Sequence, residues 1–102
     1  MNEFIATTIC HKQIAPHVYW LGLDLDGQDF THQAGQFISV LVGEKEKRPY
    51  SVCSVPLSGV VELCISTKNQ GNGSKYIQSL DVPQEVRFLG PFGNFVLQTT
   101  NK

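Results

Sequence analysis

Two short segments carry residue types suited to an anionic, ring-bearing ligand. The first is Arg48-Pro49-Tyr50-Ser51. A guanidinium is a planar fork of donors that pairs bidentately with a phosphate. A tyrosine offers a flat amphipathic face for stacking, and the small hydroxyl of Ser51 could bond a ring edge. Read alone, the segment is first of all an arginine at a loop end beside a half-buried tyrosine. The second segment is Gly71-Asn72-Gly73-Ser74, placed where a short helix should begin. The first N–H groups of a helix have no internal partners and carry partial positive charge. Glycines let an anion approach that backbone, and a serine adds a donor, which is how a phosphate or pyrophosphate site is built.

Other chemistry is sparse. His11, His17 and His32 lie in the first third of the chain without metal-ligand spacing, and surface or turn roles are expected for all three. Asp24 and Asp26 share a strand face, but nothing nearby supplies an acid–base partner. No serine sits in a Gly-x-Ser-x-Gly turn. Cys10, Cys53 and Cys64 are odd in number and widely spaced. They form neither a disulfide framework nor a metal site, and three reduced, mostly buried thiols are expected.

The elements that must position the two segments read mostly as strands. Ile5 to Cys10 is β-branched and alternating, and Ala15-Pro16-His17 ends it. Val18 to Asp24 follows, with Tyr19, Leu21 and Leu23 on one face, and Asp26-Gly27-Gln28-Asp29 is a turn. Phe37 to Val42 is a third strand. Gly43 to Lys47 is a charged, solvated hairpin tip. Arg48 to Val55 is a fourth extended segment, ended by Pro56. Val60 to Thr67 is a fifth, with Val61, Leu63 and Ile65 facing one way. Ser74 to Leu80 has helical spacing, with Ser74 at or near the N-cap, and Val82-Pro83 ends it. Glu85 to Leu89 is the sixth strand, with Phe95 to Leu97 extending or following it. Six short strands and one helix between the fifth and sixth suggest a closed antiparallel barrel or a sandwich, and a barrel would also leave no exposed apolar edge.

A chain of 102 residues supports one domain, residues 1–102, around one core. The 41% hydrophobic and 17% charged content excludes a disordered chain. A net charge of −1 argues against a nucleic-acid partner. No apolar run approaches the ~20 residues of a membrane span. Met1-Asn2-Glu3 lacks the basic start of a signal peptide. A cytoplasmic protein without a membrane span is expected.

Together the motifs resemble the flavin-binding domain of the ferredoxin–NADP reductase superfamily, in particular that of bacterial NAD(P)H-dependent flavin and oxygenase reductases. Arg48, Tyr50 and Ser51 match its Arg-x-Tyr-Ser motif, and Ser54 stands where related bacterial reductases often have Ser or Asn. Gly71 and Ser74 match its Gly-x-x-Ser helix start. Ala34-Gly35-Gln36-Phe37 is similar to the motif preceding its third strand. Gly90-Pro91-Phe92-Gly93-Asn94-Phe95 matches its Gly-Pro-x-Gly-x-Phe motif, which follows the sixth strand. The four motifs occur in the family's order, from about Phe4 to Leu97.

The resemblance implies an all-β fold, a six-stranded antiparallel Greek-key barrel with one short capping helix between strands five and six. It implies FAD as cofactor, FMN being the alternative. Tyr50 would pack against the flavin ring, and Ser51, the one residue given a catalytic role, would hydrogen-bond near flavin N5. Arg48, with Pro49 beside it, and the helix start at Gly71, Gly73 and Ser74 would hold the phosphates. The backbone of Cys64, Ile65 and Ser66 would lie along the flavin. Many relatives carry Arg or Lys where Ser66 or Thr67 stands here. In the family a nicotinamide-nucleotide domain follows the barrel, and Thr99 to Lys102 lie just past the last motif. The resemblance thus implies one domain of a longer protein, with NAD(P)H brought by a further domain or a partner chain and electrons passed to an acceptor. The rival reading is a non-catalytic barrel that binds a protein partner or single-stranded nucleic acid. Trp20, Tyr19 and Phe37 could serve such a face, but few lysines accompany them.

Overall fold

Strands that are apolar at every second position must bury one face, and most of the strands here do so around one core. The computed structural model describes residues 2–33, 35–54, 59–69 and 71–93. The elements in chain order are β1 (Asn2–Ala15), β2 (Val18–Asp24), β3 (Phe37–Leu41), β4 (Lys47–Ser51), β5 (Val60–Ser66), α1 (Asn72–Ser79) and β6 (Glu85–Phe92). All described pairings are antiparallel, and the strand order is β4-β3-β6-β1-β2-β5.

Strand β1 is longer than its alternation predicts. Its first half pairs with β6, from Asn2 against Gly90 to Thr7 against Glu85. Its second half pairs with β2, from Thr7 against Asp24 to Ala15 against Val18. Pairing with β2 alone holds polar residues such as Lys12 and Gln13 in extended form. The turn at His17 is tight, with φ at 60°.

The sheet rolls until its edge strands β4 and β5 approach. They meet at one bridge, Val52 against Leu63, backed by a 2.8 Å bond from the Cys53 N–H to the Glu62 carbonyl. The expected barrel is thus a rolled six-stranded sheet whose edges touch at a point, without a closing ladder. The Gly-Pro-x-Gly-x-Phe motif was expected after the last strand, yet Gly90, Pro91 and Phe92 belong to β6. Gln36 Nε2 donates to the Gly93 carbonyl at 2.9 Å, and the Phe37 and Phe92 rings lie 5.5 Å apart. The two framing motifs therefore fasten to each other. Ala34, Val55 to Ser58, and Asn94 onward, including Phe95 to Leu97, lie outside the described residues.

The core comes from the alternating faces: Leu21 and Leu23, Ile38 and Val40, Val61, Leu63 and Ile65, Val86 and Phe88. Phe4, Phe30 and Phe88 form an aromatic cluster with centroids 5.0 to 5.4 Å apart, edge-on and stacked contacts that add to area burial. Helix α1 sits on this core through Ile77 and Leu80, both buried. Its trailing end is tied down by His11, whose Nε2 lies 2.7 Å from the Ile77 carbonyl. Below it the buried Thr8 hydroxyl donates to the Asp81 carbonyl at 2.6 Å and accepts from the Gln84 N–H at 2.8 Å.

Two expectations are corrected here. His32 is buried, bonded through Nε2 to the Ser54 carbonyl at 3.0 Å and packed on Phe30. It is a core histidine, because its segment crosses over the end of the aromatic cluster. The thiols are not mostly buried: Cys53 and Cys64 are exposed and Cys10 is half-buried. On β5 the reason is the alternation itself, which buries Leu63 and Ile65 and turns Cys64 outward. Among the described residues no helix is long and apolar enough to cross a membrane.

Candidate functional site

Arg48 stands opposite Val40 and Tyr50 opposite Ile38 in the β3–β4 register. Val40 and Ile38 are completely buried. Residues directly opposite share a sheet face, so Arg48 and Tyr50 lie on the inner side of an edge strand. Pro49 and Ser51 take the other face. The first turn of α1 crosses this inner face. The same face of the helix carries Gly73 and, one and two turns on, Ile77 and Leu80. Seating Ile77 and Leu80 in the core thus presses Gly73 onto β4. A Cβ on Gly73 would stand 2.7 Å from Tyr50 Oη and 2.9 Å from Arg48 Cγ. The position requires glycine because of that close approach.

Between β4, the end of β5 and the start of α1 lies a cleft of about 380 Å³. It is lined by Arg48, Pro49, Tyr50, Ser66, Asn69, Gly71, Gly73 and Ser74. The two segments marked by their chemistry, far apart in the chain, are brought together here with Ser66 of β5. Three other candidates are not in the cleft. Ser51 is exposed on the outer face of β4, Cys64 is exposed on β5, and the Ile65 side chain is buried in the core. Ile65 has only backbone to offer a ligand. The register of the Val52–Leu63 bridge, extended one residue, sets Ser51 toward Cys64, beside the gap where β4 and β5 part.

The helix start differs from expectation. Gly71 is the N-cap and makes no side-chain cap bond, while Ser74 lies inside the first turn and is buried. Serine favours caps through its own side chain, but seating Gly73 on β4 starts the helix two residues earlier. Asn69 takes over the ordering role. Its Oδ1 accepts the Ser74 hydroxyl at 3.1 Å and the Gly71 N–H at 3.4 Å.

Glu46 also escaped the sequence reading, which left it in a solvated hairpin tip. Its carboxylate pairs with the Arg48 guanidinium and accepts from Asn72 Nδ2 at 3.0 Å. Arg48 also donates to the Lys47 carbonyl at 3.0 Å. Burial pushes the Tyr50 phenol above its ordinary pKa of 10.0; the neighbouring Arg48 pulls it down and Tyr76 pushes it up. Tyr50 is therefore a neutral O–H donor at working pH. The Cys53 thiol is also raised, first by burial, then by Cys64 and Glu62, against its backbone hydrogen bond, so it is a weak nucleophile.

The arrangement fits a phosphate-bearing cofactor. One guanidinium, one neutral phenol and the first turn of a helix line one cleft, and Gly73 lets the helix pack directly on the first two. Among the described residues no group of His, Cys, Asp and Glu could hold a metal ion.

A rolled antiparallel sheet with a cleft of phosphate-binding chemistry between an edge strand and a capping helix is the architecture a nucleotide-cofactor-binding domain requires. Comparison with known proteins fixes the kind. The sequence model of the oxidoreductase FAD-binding domain family matches residues 6–97, and the chain belongs to that family. It is an FAD-binding oxidoreductase domain of the ferredoxin–NADP reductase type.

A ferredoxin–NADP reductase B from Sorangium cellulosum is 31% identical over 99 residues, covering 92% of this chain and 41% of the relative. An electron transfer subunit of dihydroorotate dehydrogenase B (NAD(+)) from Bacillus pumilus is 29% identical over 98 residues, covering 92% of this chain and 38% of the relative. The chain thus spans about two-fifths of the length of these relatives. In fold it is similar to a ferredoxin NADP+ reductase from Neisseria gonorrhoeae with bound FAD and NADP (TM-score 0.84, 15% identity, 100% of this chain and 43% of that one). It is also similar to a cytochrome P450 reductase from Amycolatopsis (TM-score 0.83, 24% identity, 92% of this chain and 29% of that one).

Proposed function

We propose that the cleft between β4 and α1 holds the phosphates of FAD, and that the domain serves an enzyme carrying electrons from NAD(P)H to an acceptor. The observation that supports this most is the seat of Gly73 on Tyr50 and Arg48. Arg48 would pair with a phosphate, and the N–H groups of the first turn of α1 would bond its oxygens. The neutral Tyr50 hydroxyl would donate without adding negative charge, and its ring would give the flavin an apolar face. Pro49 would narrow the wall of the cleft. Ser51, with the backbone of Cys64, Ile65 and Ser66, would border the ring along the gap between β4 and β5, and the Ser51 hydroxyl would bond near N5. FAD when bound supplies the two-electron chemistry, accepting hydride at N5.

NAD(P)H would be brought by a further domain or a partner chain, and the acceptor would dock separately. The whole protein would be a cytoplasmic oxidoreductase. The reading is tested by adding FAD to the purified, folded chain and recording its visible spectrum after desalting. A retained yellow chromophore supports it. A folded protein that retains and perturbs no flavin contradicts it.

A further inference from the structure

We propose that His32 is a positioning residue for the flavin ring: through the Ser54 carbonyl it sets the angle at which β4 and β5 part, and so the width of the gap that the ring borders. The proposal rests on the placement of the ring along that gap. Between Val52 and Ser54 the chain changes partner. The Val52 N–H still donates to the Gln36 carbonyl at 3.1 Å, one step past the β3–β4 register, while the Cys53 N–H donates to the Glu62 carbonyl at 2.8 Å. The Ser54 hydroxyl then accepts the Glu62 N–H at 3.1 Å. Glu62 is thus gripped through both its backbone groups by the segment that follows β4. On the other side of the Val52–Leu63 bridge the strands separate toward the cleft. Two strands joined at one place open by an angle that the joint fixes.

His32 is the part of this joint that comes from elsewhere in the chain. Its Nε2 lies 3.0 Å from the Ser54 carbonyl oxygen. A carbonyl only accepts, so Nε2 carries the hydrogen. His32 and Ser54 are both buried, and the imidazole stacks on the Phe30 ring at 5.8 Å. An apolar ring would pack on Phe30 equally well, so what histidine adds is the N–H. A buried carbonyl stripped of its donor costs free energy, and the segment relieves that cost by turning toward solvent. The clasp on Glu62 then shifts, and Ser51 shifts with it on the same segment. His32 does not line the cleft that holds Arg48 and the helix start. Its effect therefore falls on the ring and not on the phosphates.

The test compares dissociation constants for FAD and riboflavin, and the visible spectrum of the bound flavin, in the native chain, His32→Phe and His32→Gln. Phenylalanine keeps the packing on Phe30 and removes the donor. Glutamine returns an N–H at about the reach of Nε2. The expected result for His32→Phe is a loss of roughly tenfold for both ligands alike, with the bound-flavin band shifted toward that of free flavin. His32→Gln should recover both readouts. Ser54→Ala opens the clasp from the β5 side and should show the same equal loss; it decides the matter where His32→Phe does not fold. Native affinity and spectrum in the folded variants, a loss confined to FAD, or a loss that His32→Gln does not recover overturns the proposal while leaving the FAD site standing. Failure of the native chain to bind either ligand overturns the site assignment and the proposal together.

Discussion

The two ends of α1 are built for different purposes. The trailing end is an anchor: Ile77 and Leu80 in the core, His11 on the Ile77 carbonyl, and the buried Thr8 hydroxyl joining Asp81 and Gln84. The leading end has little apolar packing. It has two glycines, an asparagine-ordered turn, and a carboxylate shared between Asn72 and Arg48. An eight-residue helix is too short to be stable alone, so the anchor must hold the leading end in place over β4. The difference teaches that binding here depends on packing at one end and on polar geometry at the other. The two should separate in experiment.

The largest expected effect is at the anchor. Ile77→Ala leaves a hole under the helix and should lower stability by about 2–5 kcal/mol, seen as a fall in the denaturant midpoint. A loss of flavin affinity with unchanged stability would break the distinction. Next is the leading end. Gly73→Ala forces a Cβ against Tyr50 Oη and Arg48 Cγ. Relieving that overlap costs about 1–3 kcal/mol. The first turn must lift, so FAD affinity should fall about tenfold or more while the thermal midpoint changes less than in Ile77→Ala. Titration calorimetry and melting curves on the two variants decide the matter.

The smallest effect is in alkali. Tyr50 and Tyr76 both have raised pKa values in the fold, Tyr50 mainly and Tyr76 wholly through burial. Their contribution to stability is complete below the unfolded value of about 10 and is lost as pH rises through the higher folded values. Melting temperature should therefore decline above about pH 10, and Tyr50→Phe should flatten the decline. An unchanged slope in that variant would show that the Tyr50 phenol is not desolvated by the helix.

Much of this was legible in the residues. β2 and β5 follow from strict alternation, and Val61, Leu63 and Ile65 are buried as that alternation requires. The Arg48–Tyr50 and Gly71–Ser74 segments stood out by their chemistry, and the β3–β4 register and the seating of Ile77 bring them to one cleft. What was not legible depends on neighbours. Residues 11–13 are polar and join β1 only because β2 pairs with them. Pro91 lacks an N–H and reads as a strand end, yet β6 runs to Phe92, where the register with β3 becomes irregular. Glu46 and Asn69 sit in stretches that look like solvated loops. The role of Glu46 arises from a hairpin tip meeting a helix start, while Asn69 orders the turn before the helix from within its own loop. No local pattern announces such a meeting.

The central claim, that β4 and the leading end of α1 grip phosphate, is tested most directly by Arg48→Ala measured against two ligands. FAD carries the phosphates, and riboflavin lacks them. Losing a charge-assisted bond should weaken FAD binding by about 1.5–3 kcal/mol, or roughly tenfold to a hundredfold, with riboflavin affinity unchanged. An equal loss for both ligands, or none for FAD, would contradict the account.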